Sequence, residues 1–247
     1  MTAKLLSTRP HNRTLAASRT LFHIRRVYSI KYQVSSIMDA ISQKLFLYIV
    51  IVLSATFHEY AHGFIAYKLG DSTAKDQGRL TLNPLTHIDL WGTVIIPLFL
   101  LFYGGVFIGW AKPVPYNPYN LKDQKYGSLK VGIAGPSANL IIALILGIFL
   151  RIIFTGVFGS GIFSEFFLTA VALIVYINIF LALFNLIPLP PLDGSKVLMD
   201  LFPRFSRGIM SLGFFGIFFA LLVAFFILSP LAGFIFQLIT GQAAFLT

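Results

Sequence analysis

The chain contains no cysteine among its 247 residues. It can therefore form no disulfide and no thiolate metal site, and it offers no cysteine nucleophile. Any metal ion must be held by histidine and carboxylate side chains. These are also scarce, because the sequence has only five histidines and nine acidic residues. Each of them that lies in an apolar segment is therefore a candidate functional group.

Charged residues make up only 11% of the chain, whereas 57% of it is hydrophobic. Soluble domains are about one quarter charged and about half apolar, so this composition excludes an ordinary soluble protein. Several apolar runs of about twenty residues match the ~30 Å hydrocarbon core of a bilayer. The sequence predicts an all-α polytopic membrane protein with about four to six apolar membrane segments.

The formal net charge of +10 does not indicate a nucleic-acid partner. Seven of the nineteen basic residues lie within the first 37 positions, and the others lie in short loops. This distribution is typical of membrane proteins, whose cytoplasmic loops collect Lys and Arg. No basic patch alternates with aromatic residues, so we expect the lipid bilayer, and no nucleic acid, as a partner of this chain. The sequence does not indicate an oligomeric state.

Residues 1–37 form a basic N-terminal leader that is rich in Arg and Ser and contains neither Asp nor Glu. Such a composition is typical of an organelle transit peptide, and it would also arise if translation started at Met38. We favour the start at Met38. We therefore expect the leader to lie outside the fold and residues 38–247 to form a single membrane-embedded domain.

Four apolar runs are each long enough to span a bilayer: residues 45–69, 131–154, 166–186 and 208–228. The last of these is predicted to end before Pro230. The apolar tail beyond it, which ends at Ile239, is short for a full crossing.

A fifth apolar run, at residues 92–110, is interrupted by Pro97 and by Gly104, Gly105 and Gly109. Proline and glycine weaken a helix interior, and irregular backbone at membrane depth is tolerated only where protein or water covers it. This run therefore favours a re-entrant hairpin, bent at Gly104-Gly105, over a spanning helix.

Two histidines lie four residues apart inside the first apolar run, in the sequence His58-Glu59-Tyr60-Ala61-His62. At this spacing both imidazoles project from one helix face and can bind a single Zn²⁺ at roughly 2.0–2.1 Å. Glu59 is then close enough to accept a proton from a water on the metal. Ionisable groups inside a spanning helix are costly, and a metal compensates that cost. The pattern predicts a site for peptide hydrolysis.

A catalytic zinc usually takes three protein ligands and one water, so a third ligand must come from elsewhere. The acidic and histidine candidates in or beside a membrane segment are His87, Asp89, Glu165 and Asp193. Asp193 is favoured because the prolines at 188, 190 and 191 let the chain unwind and turn a carboxylate inward. The structural alternative is an ordinary turn Asp followed by Gly194.

These residues resemble the two signature motifs of the site-2 protease family. The motif residues are His58 to His62, Asn185, Pro188 and Leu192-Asp193-Gly194. Two further segments are similar to other elements of the family: Gly135-Pro136-Ser137-Ala138-Asn139, and the stretch from Gly109 to Pro115 that is similar to its small bacterial members. The resemblance covers about residues 45–200. No segment is long enough to hold the PDZ or CBS domain of larger relatives.

The resemblance implies a zinc-dependent intramembrane endopeptidase that cleaves transmembrane segments of membrane proteins, in the manner of regulated intramembrane proteolysis. It implies one Zn²⁺ per chain, bound by His58, His62 and Asp193, with Glu59 as the catalytic base. The alternative function is a membrane metal-binding or transport protein that uses the same three ligands. Glu59 favours the protease, because transport has no need of a base, and the chain lacks the paired half-helices of inverted-repeat transporters.

Two amides in the apolar segments are candidates for substrate binding. Asn139 or Asn185 can donate to an oxyanion or to a substrate backbone near the metal. The alternative for both is a hydrogen bond between helices, which contributes about 0.6 kcal/mol on average in membranes.

A shared metal requires its ligands to lie at the same depth, so the runs at 45–69 and 166–186 should be parallel. A hairpin at 92–110 satisfies this requirement and gathers ten basic residues on the face of the site: Lys68, Lys75, Arg79, Lys112, Lys122, Lys125, Lys130, Lys196, Arg204 and Arg207. Only Lys44 and Arg151 lie near the other face. Because Lys and Arg favour the cytoplasmic side, we expect a multi-pass protein of a bacterial cell membrane with its active site open to the cytoplasm.

Overall fold

The computed structural model describes residues 41–103, 109–155 and 162–242. Within these ranges the regular secondary structure is entirely helical, which confirms the all-α prediction. The leader at residues 1–37 and the start at Met38 lie outside the described residues. Both of these expectations, and that of a single domain from residue 38 onward, stay predictions.

The α-helices of the described residues are α1 (Ile41–Lys68), α2 (Thr73–Asp76), α3 (Ile96–Tyr103), α4 (Gly127–Phe154), α5 (Glu165–Asn185), α6 (Gly194–Leu201), α7 (Pro203–Met210), α8 (Gly216–Val223) and α9 (Ser229–Thr240). A π-helical turn, Ala224–Leu228, joins α8 and α9 into one continuous helix. Among the described residues, α1, α4, α5 and this joined helix are long and apolar enough to cross a bilayer. The protein is therefore a polytopic membrane protein.

The last spanning helix differs from the one predicted at residues 208–228. It runs from Gly216 to Thr240 and so includes the tail that was expected to be too short for a crossing. Pro230 does not end it, because this proline lies in the first turn of α9, where a missing backbone N–H is tolerated. The π-helical turn before it supplies the local adjustment of the backbone. Residues 208–215 lie outside this span.

The segment at 92–110 returns to the place where it begins. The Trp110 amide donates to the Gly92 carbonyl over 3.0 Å, and the Thr93 hydroxyl donates to the Trp110 carbonyl over 2.9 Å. A chain whose ends meet in this way has not crossed a ~30 Å core, so the geometry agrees with the predicted re-entrant hairpin. Its bend at Gly104-Gly105 lies outside the described residues.

α1 and α5 run parallel to each other and antiparallel to α4. Ser54 and His62 in α1 contact Asn139 and Val131 in α4, respectively, so the residue numbers rise in opposite directions. α5 follows α4 along the chain, and its Asn178 returns to Asn139. The C-terminal half of α1, the start of α4 and the end of α5 therefore meet at one end of the helices.

α4, α5 and α9 are held together by a shared apolar core. Its fully buried members include Ala143 of α4, Val175 and Ile179 of α5, and Ala232 and Phe236 of α9. Burial of such a cluster fixes the register of neighbouring helices, because interiors pack without voids. This register sets the positions of the polar residues that α4 and α5 contribute to the site.

Candidate metal centre

Three buried side chains converge where α1 meets the segment after α5. The Nε2 atoms of His58 and His62 lie 3.0 Å apart, and each lies 2.9 Å from Oδ2 of Asp193. The three residues are only 6%, 5% and 7% exposed, respectively. Within the described ranges this is the one group of His and carboxylate residues with the spacing of a metal site. The structure thus brings together the three residues that the sequence proposed as ligands.

The turn that carries Asp193 follows directly after α5. Short-range hydrogen bonds, from Leu189 N to Ile187 O and from Leu192 N to Leu189 O, form consecutive tight turns after the end of the helix. Gly194 makes this path possible, because a Cβ there would lie 2.3 Å from the Leu186 carbonyl oxygen. The Pro-rich break therefore places the Asp193 carboxylate beside α1, as its sequence context indicated.

The outer nitrogen of each imidazole is held by an oxygen atom. His58 Nδ1 donates to Oδ1 of Asn139 over 2.7 Å, and His62 Nδ1 donates to the Val131 carbonyl over 2.6 Å. Both partners are acceptors, so both Nδ1 atoms carry the proton and both Nε2 lone pairs point toward Asp193. Such a bond to the far nitrogen fixes the tautomer and orientation of a metal-binding histidine.

The arrangement fits zinc. A tetrahedral ion with bonds of about 2.0–2.1 Å separates its ligand atoms by about 3.3 Å, which is a few tenths of an ångström more than the distances between these three atoms. Gly135 leaves space in front of them, because a Cβ there would lie 2.4 Å from His62 Nε2 and 2.5 Å from His58 Nε2. Two neutral imidazoles and one carboxylate are a donor set that zinc accepts in catalytic sites.

The charge of Asp193 suits a metal ligand. Burial alone would raise the pKa of this carboxyl group, but the nearby charge of the Lys196 ammonium lowers it. The carboxylate form is therefore the stable one. Its second oxygen, Oδ1, accepts a hydrogen bond from the Lys196 ammonium over 2.7 Å.

Asn139 lies behind His58 and joins three helices. It is fully buried, and its Nδ2 group donates to Oδ1 of Asn178 over 2.8 Å and to the Ser54 carbonyl over 3.3 Å. Asn178 in turn donates to the Ser54 hydroxyl. Asn139 therefore has no free donor for a substrate. The structure favours a role in orienting His58 over the predicted substrate contact.

Asn185 occupies the last position of α5 and is half-buried. Its Nδ2 group donates to the Leu181 carbonyl, one turn earlier in the same helix. In the described part of the chain, no hydrogen bond joins Asn185 to Glu59 or to the three ligand residues. Substrate binding by Asn185 stays a prediction.

Glu59 lies beside the ligands and is fixed by a backbone amide. Its Oε2 atom accepts a hydrogen bond from the Val114 N–H over 2.7 Å, whereas Oε1 has no hydrogen bond within the described residues. Val114 lies between Pro113 and Pro115, in the irregular stretch that follows the hairpin. The segment from Gly109 to Pro115 therefore reaches the site through its backbone.

Asp71 anchors this stretch, and sequence reasoning did not identify it. Its carboxylate is fully buried and accepts hydrogen bonds from the Asn117 amide, the Asn120 side chain and the Thr73 hydroxyl. Burial raises the pKa of Asp71, but bonds from Thr73, Asn117 and Asn120 lower it further than burial raises it. The Asp71-Ser72-Thr73 pattern indicates a local turn, but nothing in it reveals a partner 46 residues away.

The other candidate ligands lie in different places. His87 is buried and donates from Nε2 to the Thr81 carbonyl, while Asp89 accepts from the amides of Trp91 and Gly92 at the start of the hairpin. Glu165 lies in the first turn of α5, far along that helix from its end near Asp193. None of the three belongs to the ligand group.

Several known proteins have sequences similar to this chain. The profile of the family described as "Peptidase family M50" matches residues 152–229, which include Asp193. "Putative zinc metalloprotease YwhC" of Bacillus subtilis strain 168 is 42% identical over 173 residues, which are 67% of this chain and 73% of the relative. Rip2 of Mycolicibacterium smegmatis, which carries the same description, is 33% identical over 150 residues, or 60% of this chain and 53% of the relative.

A third relative is archaeal. "Zinc metalloprotease MJ0392" of Methanocaldococcus jannaschii is 28% identical over 152 residues, which are 62% of this chain and 33% of the relative. No solved structure matches the chain. The chain belongs to peptidase family M50, the site-2 protease family. It is a zinc metalloprotease and an integral membrane protein.

Proposed function

We propose that this zinc metalloprotease cleaves transmembrane segments of other membrane proteins, within the bilayer or close to it. The observation that carries the proposal is the position of two of the ligands, His58 and His62, within a spanning helix. At 1.5 Å per residue, His58 lies about 15 Å and His62 about 9 Å along α1 from its C-terminal residue Lys68. A peptide bond that meets these ligands must reach the same depth.

We assign one Zn²⁺ per chain to His58, His62 and Asp193. When bound, zinc supplies Lewis acidity to a water molecule and to the scissile carbonyl. The chain itself supplies the orientation of the ligands: the Asn139 and Val131 oxygens keep both imidazoles in the tautomer that presents Nε2.

Glu59 serves as the base. The Val114 amide holds Oε2, so the free Oε1 accepts the proton of the attacking water. The water oxygen then bonds to the carbonyl carbon, the C–N bond breaks, and Glu59 returns the proton to the leaving nitrogen. A half-buried carboxylate with one oxygen fixed is well placed for both transfers.

The proposed substrates are transmembrane helices of other proteins. A peptide bond in such a helix has its N–H and C=O groups bonded within the segment, so the helix must unwind locally before Glu59 and the ligands can reach that bond. Cleavage of this kind releases a fragment from the membrane, which is the outcome of regulated intramembrane proteolysis.

The site is proposed to open to the cytoplasm of a bacterial cell. Ten basic residues lie at the helix ends and loops on the side of the site, whereas Arg151 donates to the Leu238 carbonyl at the opposite end of the helices. The positive-inside tendency assigns the richer side to the cytoplasm.

The orientation is tested by cysteine labelling, because the natural chain has no cysteine. Tyr119 is 86% exposed on the proposed cytoplasmic side, and Gln242 is exposed just beyond α9 on the other side. We expect Tyr119→Cys to react with an impermeant thiol reagent only after the membrane is opened, and Gln242→Cys to react in intact cells. The reverse pattern would refute the orientation.

The substrate class is tested by comparing membrane-protein fragments from cells that express the wild-type chain or Glu59→Gln. We expect new termini inside transmembrane segments in the wild-type cells alone, because the variant retains the fold but lacks the base. If the new termini lay only in soluble loops, or appeared equally with both proteins, cleavage within the bilayer would be rejected.

A further inference from the structure

Lys196 contacts the oxygen of Asp193 that faces away from the histidines. Its Nζ atom lies 2.7 Å from Oδ1, whereas Oδ2 lies 2.9 Å from both imidazole Nε2 atoms. The two oxygens of one carboxylate therefore have different partners, with the ligand group on one side and an ammonium on the other.

Several elements fix the position of Lys196. Its side chain is only 27% exposed. Its stem lies against α4, where a Cβ on Gly132 would be 3.1 Å from Cβ of Lys196. Its ammonium lies 5.5 Å from the centre of the Tyr116 ring. Tyr116 belongs to the same irregular stretch as Val114, whose amide donates to Glu59. This lysine is therefore built into the site and is not a solvated surface residue.

A role in stabilising α6 does not explain this placement. Lys196 lies in the first turn of that helix, where the positive end of the helix dipole disfavours a cation. An ion pair at i, i+3 on a helix surface contributes little to helix stability. Aliphatic residues would cover Gly132 equally well. The feature that requires an ammonium is the Oδ1 atom of Asp193.

We propose that Lys196 is a positioning residue that keeps Asp193 a monodentate ligand. Carboxylates bind metals through one oxygen or through two. Because the Lys196 ammonium bonds to Oδ1, this oxygen is not available as a second ligand atom. The coordination position that a catalytic zinc keeps for water therefore stays open. This inference rests on the proposed zinc site.

The test uses the full-length protein with Co²⁺ in place of zinc, because the visible absorption of Co²⁺ is intense with four ligands and weaker with five. Lys196→Met removes the donor, and Lys196→Arg retains one. Lys130→Met is the matched control, because it breaks the exposed ion pair between Lys130 and Asp123. We expect intense four-ligand bands from the wild type, Lys196→Arg and Lys130→Met, and weaker five-ligand bands from Lys196→Met.

In the zinc form, kcat of Lys196→Met should fall by about 10- to 100-fold, the usual effect of removing a group that orients a metal ligand, with KM little changed. If Lys196→Met fails to accumulate in membranes, the smaller Lys196→Ala provides the same comparison. If the cobalt bands and kcat of Lys196→Met, or of Lys196→Ala in its place, were the same as those of the wild type, the proposal for Lys196 would be overturned. Failure of the zinc site itself would be seen separately, as a wild-type cobalt spectrum that His58→Ala leaves unaltered.

Discussion

Purified His58→Ala and His62→Ala proteins are expected to contain almost no zinc, whereas the wild type contains about one zinc per chain. Each imidazole supplies one of the three protein bonds that a catalytic zinc needs, and its far nitrogen is already committed to Asn139 or Val131. Elemental analysis of the detergent-purified proteins measures the loss. His87→Ala is the control, because His87 is equally buried but bonds to Thr81 in the loop before the hairpin.

Asp193→Ala is expected to lose both the metal and the activity while the protein still inserts. Asp193→Glu is a stricter test, because its extra methylene displaces the carboxylate by more than the ~0.5 Å that a productive site tolerates. We expect weak zinc binding and little turnover from it. Stoichiometric zinc in both histidine variants, or in Asp193→Ala, would refute the ligand assignment.

Glu59→Gln is expected to retain its zinc and to lose peptide hydrolysis by about 10²- to 10⁴-fold, the usual contribution of a general base. The amide oxygen of Gln can still accept the hydrogen bond from Val114 N–H, so the side chain keeps its place. It cannot accept the proton of the water. Zinc content and cleavage of a membrane-spanning substrate in vesicles are measured on the same preparation.

Tyr60→Phe is a suitable comparison for Glu59→Gln, because Tyr60 is the next residue of α1 and stacks on Phe64, a contact that phenylalanine preserves. It should cleave the substrate at the wild-type rate. Wild-type activity in Glu59→Gln would exclude Glu59 as the base while leaving the ligand assignment intact.

The sequence predicts the residues of the site better than it predicts their partners. A spacing of four on a helix and a Pro-rich break before Asp193-Gly194 are local patterns, so the ligand group can be inferred from them. The partner of His62 is the Val131 carbonyl and that of Glu59 is the Val114 amide. Backbone groups occur at every residue and carry no side-chain pattern, so sequence reasoning does not single these two out.

The last span was predicted at residues 208–228 but lies at Gly216–Thr240, because the local sequence does not show where α9 begins. Proline inside a helix breaks it, but proline in the first turn of a helix does not. The two cases look alike in sequence unless the start of α9 is already known, and a π-helical turn such as Ala224–Leu228 has no strong sequence pattern of its own. The partners of Asn139, which are His58 and Asn178, lie in two other helices, so the local sequence does not show that its hydrogen bonds are already made.

The distance along the chain between the proposed ligands sets the time that passes during synthesis before the metal site can be completed. Asp193 follows His62 by 131 residues, and ribosomes add about 5–20 residues per second, so roughly 7–26 s separate the synthesis of the two. Throughout that interval α1 offers only a pair of histidines. On the proposed ligand assignment, a newly made chain therefore enters the membrane with an incomplete metal site, and the site is completed only when α5 and the turn beyond it have been inserted.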